Sequence, residues 1–169
     1  MSTIHVCPLS KLPETVRLTG ARSLVTFINQ GTPVHRPREI AAEQHLFVPM
    51  SDITTAVEGH ILPNESHVTA LLGFVQKWDR SAPLLIHCWA GVSRSTAAAF
   101  ITACALYPGK DEQEIAAVLR RNSPTATPNA LLIDIADTML GREGKMRTAI
   151  DAIGRGSECF EGTPFKLDL

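Results

Sequence analysis

Neither sign of charge is in excess in this 169-residue chain, where 16 Lys and Arg stand against 17 Asp and Glu. A nucleic-acid or anionic-membrane partner calls for a basic surplus or a basic patch, and with neither in sight no such partner is expected. Long apolar runs are missing too: the longest, 96–107, is well short of the roughly 20 residues that cross a bilayer. The opening Met1-Ser2-Thr3-Ile4-His5-Val6-Cys7 lacks the charged and apolar segments of a signal peptide. Cysteine is scarce, and Cys7, Cys88, Cys104 and Cys159 are spaced neither as a zinc site nor as a disulfide scaffold. The six histidines show no paired metal spacing, and His87 beside Cys88 cannot place two ligands on one metal. No repeat or low-complexity segment is found. The expectation is a cytoplasmic protein in a reducing compartment, with no metal and no cofactor.

What is present is enough apolar residue, 44%, for one ordinary domain. Four short apolar runs read as strands, at 4–9, 23–28, 45–50 and 84–88. Helical periodicity is clearest from Asn64, a plausible N-cap, to Trp78, where Val68, Leu71, Leu72, Val75 and Trp78 share one face. A second helix starts at Asp111, with Glu114 in capping-box position and Ile115, Val118 and Leu119 turned inward. A third runs from Pro128 or Asn129 to about Leu140, with a continuation over 144–153. Strands separated by helices predict an α/β fold of three layers, with a mainly parallel sheet of about four to five strands covered by helices and ligands at the strands' carboxyl ends. Residues 1–154 are expected to form a single catalytic domain. From Gly154 on there are three Gly and one Pro, and 155–169 is expected to be an extended or loose C-terminal tail.

One segment concentrates chemistry: Ile86-His87-Cys88-Trp89-Ala90-Gly91-Val92-Ser93-Arg94-Ser95. The apolar run 83–86 reads as a buried strand and 95–101 as a buried helix, so a tight loop carries the chain from one into the other. A helix start has unpaired N–H groups and the positive end of its dipole, which predisposes the loop to hold an anion, a phosphate or a sulfate ion. Gly91 permits positive φ or close backbone approach. Arg94 supplies a planar, two-pronged donor for two phosphate oxygens. Cys88 is the candidate nucleophile, in surroundings that favour the thiolate. His87 is in place to orient the loop backbone.

This segment resembles the His-Cys-x5-Arg-Ser/Thr signature of the cysteine-dependent protein tyrosine and dual-specificity phosphatases, with every fixed position filled. The resemblance implies the phosphotyrosine protein phosphatase II type of fold and a phosphorylated protein or small phosphomonoester as substrate. It implies that Cys88 attacks phosphorus to give a cysteinyl-phosphate and that the loop Trp89, Ala90, Gly91, Val92, Ser93 and Arg94 binds the phosphoryl oxygens. Ser95 would then donate to the departing sulfur. Two other readings stay open: a rhodanese-like sulfurtransferase, and a catalytically weak module that binds phosphorylated ligands.

Hydrolysis of an ester with a poor leaving group needs a proton donor from another loop. Asp52 follows the predicted strand 45–50, at the sheet edge that carries Cys88, and matches the order in which dual-specificity phosphatases place their acid. Glu58 is the alternative, whereas Glu65 and Asp79 fall within the ends of the helix after Asn64. Pro128-Asn129 resembles a supporting Pro-Asn step of the same family, and Asn129 either hydrogen-bonds the His87-Cys88 turn or caps its own helix. Arg36 and Arg38 are weaker candidates for substrate contact. Cys104, about nine residues beyond Ser95 or ~13 Å along a helix, lies out of disulfide reach. The family's strand order puts Cys7 at an edge, so no internal partner for Cys88 is expected.

Overall fold

The computed structural model describes residues 2–168. A five-stranded sheet runs in the order β3-β2-β4-β1-β5, comprising β1 (Thr3–Pro8), β2 (Ser23–Ile28), β3 (His45–Pro49), β4 (Leu84–Cys88) and β5 (Phe165–Asp168). The first four named are mutually parallel and β5 is antiparallel to β1. The four expected strands lie within a residue of their predicted ends. Every residue of β2 and β4 is buried, as continuous apolar runs in a parallel sheet require when both faces are covered.

Five helices cover one face: α2 (Glu65–Lys77), α3 (Arg94–Leu106), α4 (Glu112–Asn122), α5 (Ala130–Met139) and α6 (Lys145–Ile153). Asn64 and Asp111 cap α2 and α4 through their side chains, as their sequence positions suggested. α3 is buried on all sides except near its C-terminal end, and its Ala-rich sequence lets it sit centrally against β1, β2 and β4. The main core joins Val25, Phe27, Ile86, Phe100, Leu132 and Ile150. Helix α1 (Leu12–Thr19) covers the opposite face over a smaller cluster of Leu12, Val16, Leu24 and Leu85. Among the described residues no helix is long and apolar enough to cross a membrane.

Where an extended or loose tail was expected, the C-terminal segment is extended and ends in a strand. β5 pairs residue by residue with β1, Thr3 opposite Asp168 and Ile4 opposite Leu167, and Leu167 is fully buried. Asn122 Nδ2 donates to the Lys166 carbonyl at 2.7 Å on α4's side of the strand. Upstream, Arg120 donates to the carbonyls of Ser123, Pro124 and Ala126 and, at 2.7 Å, to that of Gly154. The segment from 154 onward is therefore bound into the domain at both ends.

Candidate active site

The chain leaves β4 at Cys88, turns through residues 89–93 and enters α3 at Arg94. Four carbonyls of this turn, and that of Cys88 just before it, are bonded to donors outside it. Cys88 O accepts from His87 Nδ1 (3.0 Å), Trp89 O from Leu9 N (3.0 Å) and Ala90 O from Gly162 N (2.7 Å). Val92 O accepts from Thr127 N (2.9 Å) and Ser93 O from Asn129 N (3.2 Å). In a planar trans peptide the N–H points opposite to the C=O, so carbonyls pulled outward leave the N–H groups of 89, 90, 91, 93 and 94 facing the inside of the turn. The first turn of α3 adds its own N–H groups, since Ser93 occupies the N-cap position without capping through its side chain. The result is a concave nest of donors fitted to a tetrahedral oxyanion.

Gly91 makes the turn possible on two counts. Its φ is +68°, and a Cβ there would lie 2.8 Å from Pro8 N and 2.9 Å from Cys7 C, both immovable backbone atoms. The left-handed conformation alone costs an L-residue about 1–2 kcal/mol. Gly91→Ala is therefore expected to lower stability in urea unfolding by roughly 2 kcal/mol or more and to weaken oxyanion binding by the same displacement.

Arg94 is buried at the rim of the nest, with Nη1 donating to Asn29 Oδ1 (2.6 Å) and to Met50 O (2.8 Å). These two contacts fix the plane of the guanidinium. Its Nε is buried with no protein partner among the described residues, a costly state for a charged donor that an oxyanion would relieve. Cys88 is 2% exposed, and its Sγ lies 3.1 Å from Ser95 Oγ. A thiolate has no proton to give, so when the sulfur is ionised the hydroxyl is the donor.

Behind the nest, His87 is fully buried and lies 2.8 Å from Thr26 Oγ1 through Nε2. Because Nδ1 faces a carbonyl, which only accepts, Nδ1 carries the ring proton and Nε2 accepts from the Thr26 hydroxyl. Thr26 Oγ1 in turn accepts from His45 Nε2 at 2.8 Å, so a chain of hydrogen bonds links half-buried His45 to the Cys88 carbonyl. Burial holds His87 down at about 4 against an ordinary 6.5, and the neighbouring His45 and Arg94 push the same way against the hydrogen bond to Cys88. The unfolded chain thus binds the extra proton between about pH 6.5 and 4, and stability falls as pH is lowered through that window. Between pH 7.5 and pH 5 the loss from this residue is about 2 kcal/mol. Urea titrations should find the pH dependence of His87→Gln shallower by that amount.

Asp52 reaches the nest from the loop after β3. Its Oδ1 accepts from Ser93 Oγ (2.7 Å) and from Asn129 Nδ2 (2.9 Å), while Oδ2 has no protein partner among the described residues. The two donors fix the carboxyl beside the loop and leave Oδ2 as the oxygen available to carry a proton. Asn129 donates also to Ile53 O (3.2 Å) and caps α5 by accepting from Leu132 N at 3.0 Å. The capping role stands, and the alternative contact to the His87-Cys88 turn does not, because Thr26 takes that place and Asn129 serves the Asp52 loop. Glu58 is exposed, with no hydrogen bond to the signature loop.

No protein-family model matches the sequence, and no curated protein matches it. Solved structures do. The Cydia pomonella PTP-2 phosphatase superposes with a TM-score of 0.63 at 18% identity, covering 80% of this chain and 84% of its own. Human DUSP28 superposes with 0.62 at 16%, covering 82% and 94%. This chain has the tyrosine and dual-specificity phosphatase fold. PTPMT1 in complex with PI(5)P, at 0.56 and 16% identity over 82% and 91%, shares it.

On this phosphatase fold the sequence-predicted residues Cys88, Arg94, Ser95 and Asp52 gather at one end of the sheet, tied together through Ser93 and Asn129. Trp89 is 55% exposed, a rim residue whose backbone serves the nest. Arg36 bonds the Ile40 carbonyl and Arg38 pairs with Glu39 at 4.0 Å, so neither is directed at the nest. Cys7 is not at an edge: β1 lies between β4 and β5, with Cys7 opposite His87. Burial pushes the Cys7 and Cys104 thiols up to about 12, and all four cysteines are free. Asn29, Thr26, His45, Thr127 and Gly162 serve the site without having stood out in the sequence. Their pairings cross from 19 to more than 60 positions, and no local pattern marks them.

Proposed function

We propose that the protein is a phosphomonoester hydrolase, a protein tyrosine or dual-specificity phosphatase that works through a cysteinyl-phosphate. The observation that carries this is the turn itself: its carbonyls are bonded outward, which turns its N–H groups inward, and Arg94 Nε at its end is buried with no protein partner among the described residues. In the first step the Cys88 thiolate attacks phosphorus, the bond from phosphorus to the ester oxygen breaks, and Asp52 Oδ2 delivers its proton to the leaving oxygen. The equatorial oxygens that gain charge lie against the nest and Arg94. In the second step water attacks phosphorus and gives its proton to Asp52 as the bond between sulfur and phosphorus breaks. Ser95 donates to the departing thiolate, and orthophosphate leaves. Neither step calls on a metal, and the thiolate needs a reducing compartment.

A rhodanese-like nest would hold persulfide sulfur and has no use for a carboxyl held by two donors over the loop, which favours the phosphatase reading. The test is rapid acid quench of the protein with p-nitrophenyl phosphate in the presence of a chelator, followed by mapping of the phosphorylated peptide. Phosphate on residue 88 is expected. Sulfur transfer from thiosulfate to cyanide with no phosphate release would overturn the proposal.

A further inference from the structure

A groove of about 740 Å³ lies beside the signature turn, which contributes Val92 and Ser93 to its lining. Asp52 and Ser93 form its near end, Pro128 and Ile150 belong to its apolar lining, and Asp151, Arg155 and Glu158 line the part beyond the end of α6. Its volume is that of a site for a ligand far larger than a phosphoryl group. With Asp52 and Ser93 at its near end, it is placed to take what is attached to a phosphate held in the nest.

Its C-terminal wall is built in. Gly156 N donates to Thr127 Oγ1 (3.1 Å), Ser157 N donates to Pro124 O (2.9 Å), and a Cβ on Gly156 would lie 2.5 Å from the Thr125 backbone. Thr127 N is the donor to Val92 O in the nest, so wall and nest share one support. A preformed wall spares a ligand the cost of ordering it.

Beyond Asp52, the proton donor at the near end, the lining carries two carboxylates, Asp151 and Glu158, against one guanidinium. Asp151 bonds Arg147 at 3.0 Å with 64% of its side chain exposed, and Glu158 meets Arg155 at 3.8 Å with 90% exposed. Exposed pairs of this kind are weakly held, so both carboxylates still attract a cation on an incoming ligand. A headgroup with several phosphates would set further negative charge against them, and the nest offers no Lys to offset it.

We infer that the groove is a substrate subsite that takes the residues flanking the phosphorylated residue of a peptide and selects Lys or Arg there. The inference rests on the phosphatase reading. The experiment compares matched phosphopeptides carrying Lys or Glu on both sides of the phosphorylated residue, in phosphotyrosine and phosphothreonine versions. The Lys peptide should have roughly tenfold higher kcat/KM at low ionic strength, with the ratio shrinking as salt approaches about 0.5 M. The ratio should fall to within about twofold in the Asp151→Asn, Glu158→Gln double variant and rise in Arg155→Glu. Arg155 is exposed, so the last variant tests the idea without burdening the fold. Equal rates, a preference for Glu, no peptide turnover, or faster turnover of a phosphoinositide in vesicles would each overturn the inference. p-Nitrophenyl phosphate, too small to fill the groove, separates the two levels: if its hydrolysis is absent the phosphatase reading fails, and if it persists without peptide preference only the subsite fails.

Discussion

Cys88→Ser will abolish hydrolysis of p-nitrophenyl phosphate, a fall of about 10⁵-fold or more, while oxyanion affinity stays within about threefold of the wild type. The two halves have separate causes. A serine hydroxyl is hardly ionised near neutral pH and is a poor group to expel from phosphorus in the second step, so both halves of the transfer lose their driving atom. Binding rests on backbone N–H groups held from outside the turn and on Arg94 pinned by Asn29 and Met50, none of which involves the sulfur. Stopped-flow turnover measures the first quantity and calorimetric titration with tungstate or phosphate the second. Loss of both would mean that the turn had collapsed. Retained turnover would remove Cys88 from the chemistry.

Asp52→Ala will divide substrates by their leaving groups. An alkyl phosphate should slow by about 10²- to 10³-fold, the usual worth of a positioned acid. An aryl phosphate with a stable phenolate should slow tenfold or less, because its oxygen departs without a proton. Asn129→Ala should imitate part of this pattern, since it removes one of the two donors on Oδ1 and leaves the carboxyl in place. The measurement is kcat across a series of leaving groups in wild type and variant. Equal losses along the series would relocate the acid, with Glu58 the next residue to change.

The parts of the fold that were legible in the sequence are those encoded locally. β1 to β4 are runs of apolar residues bounded by breakers, α2 and α4 announce themselves by Asn64 and Asp111, and the nest is written into ten consecutive residues. β5 was not legible because Phe165–Asp168 is four residues long, buries only Leu167 completely, and takes its identity from a partner some 160 positions away. Helix α1 was not read either; it is eight residues long, with Gly20 at φ +70° closing it after Thr19. Strand order is a property of the assembled sheet, so the place of Cys7 beside His87 could not be read from either residue. The same holds for the site: residue types were visible at Cys88, Arg94 and Asp52, but the donors that hold the carbonyls of the turn between Cys88 and Arg94 come from Leu9, from Thr127 and Asn129, and from Gly162, three separate places in the chain.

The bond from Gly162 N to the Ala90 carbonyl has a bearing on the order in which the molecule acquires its properties. During synthesis the signature turn is made about 70 residues before Gly162. At roughly 5–20 residues per second, several seconds pass in which β4 and α3 can pack while one peptide of the nest has no anchor. A nascent chain halted in that interval would carry Cys88 without the full set of outward anchors, and the finished turn would arrive with the segment just before β5 rather than with the ten residues that encode it.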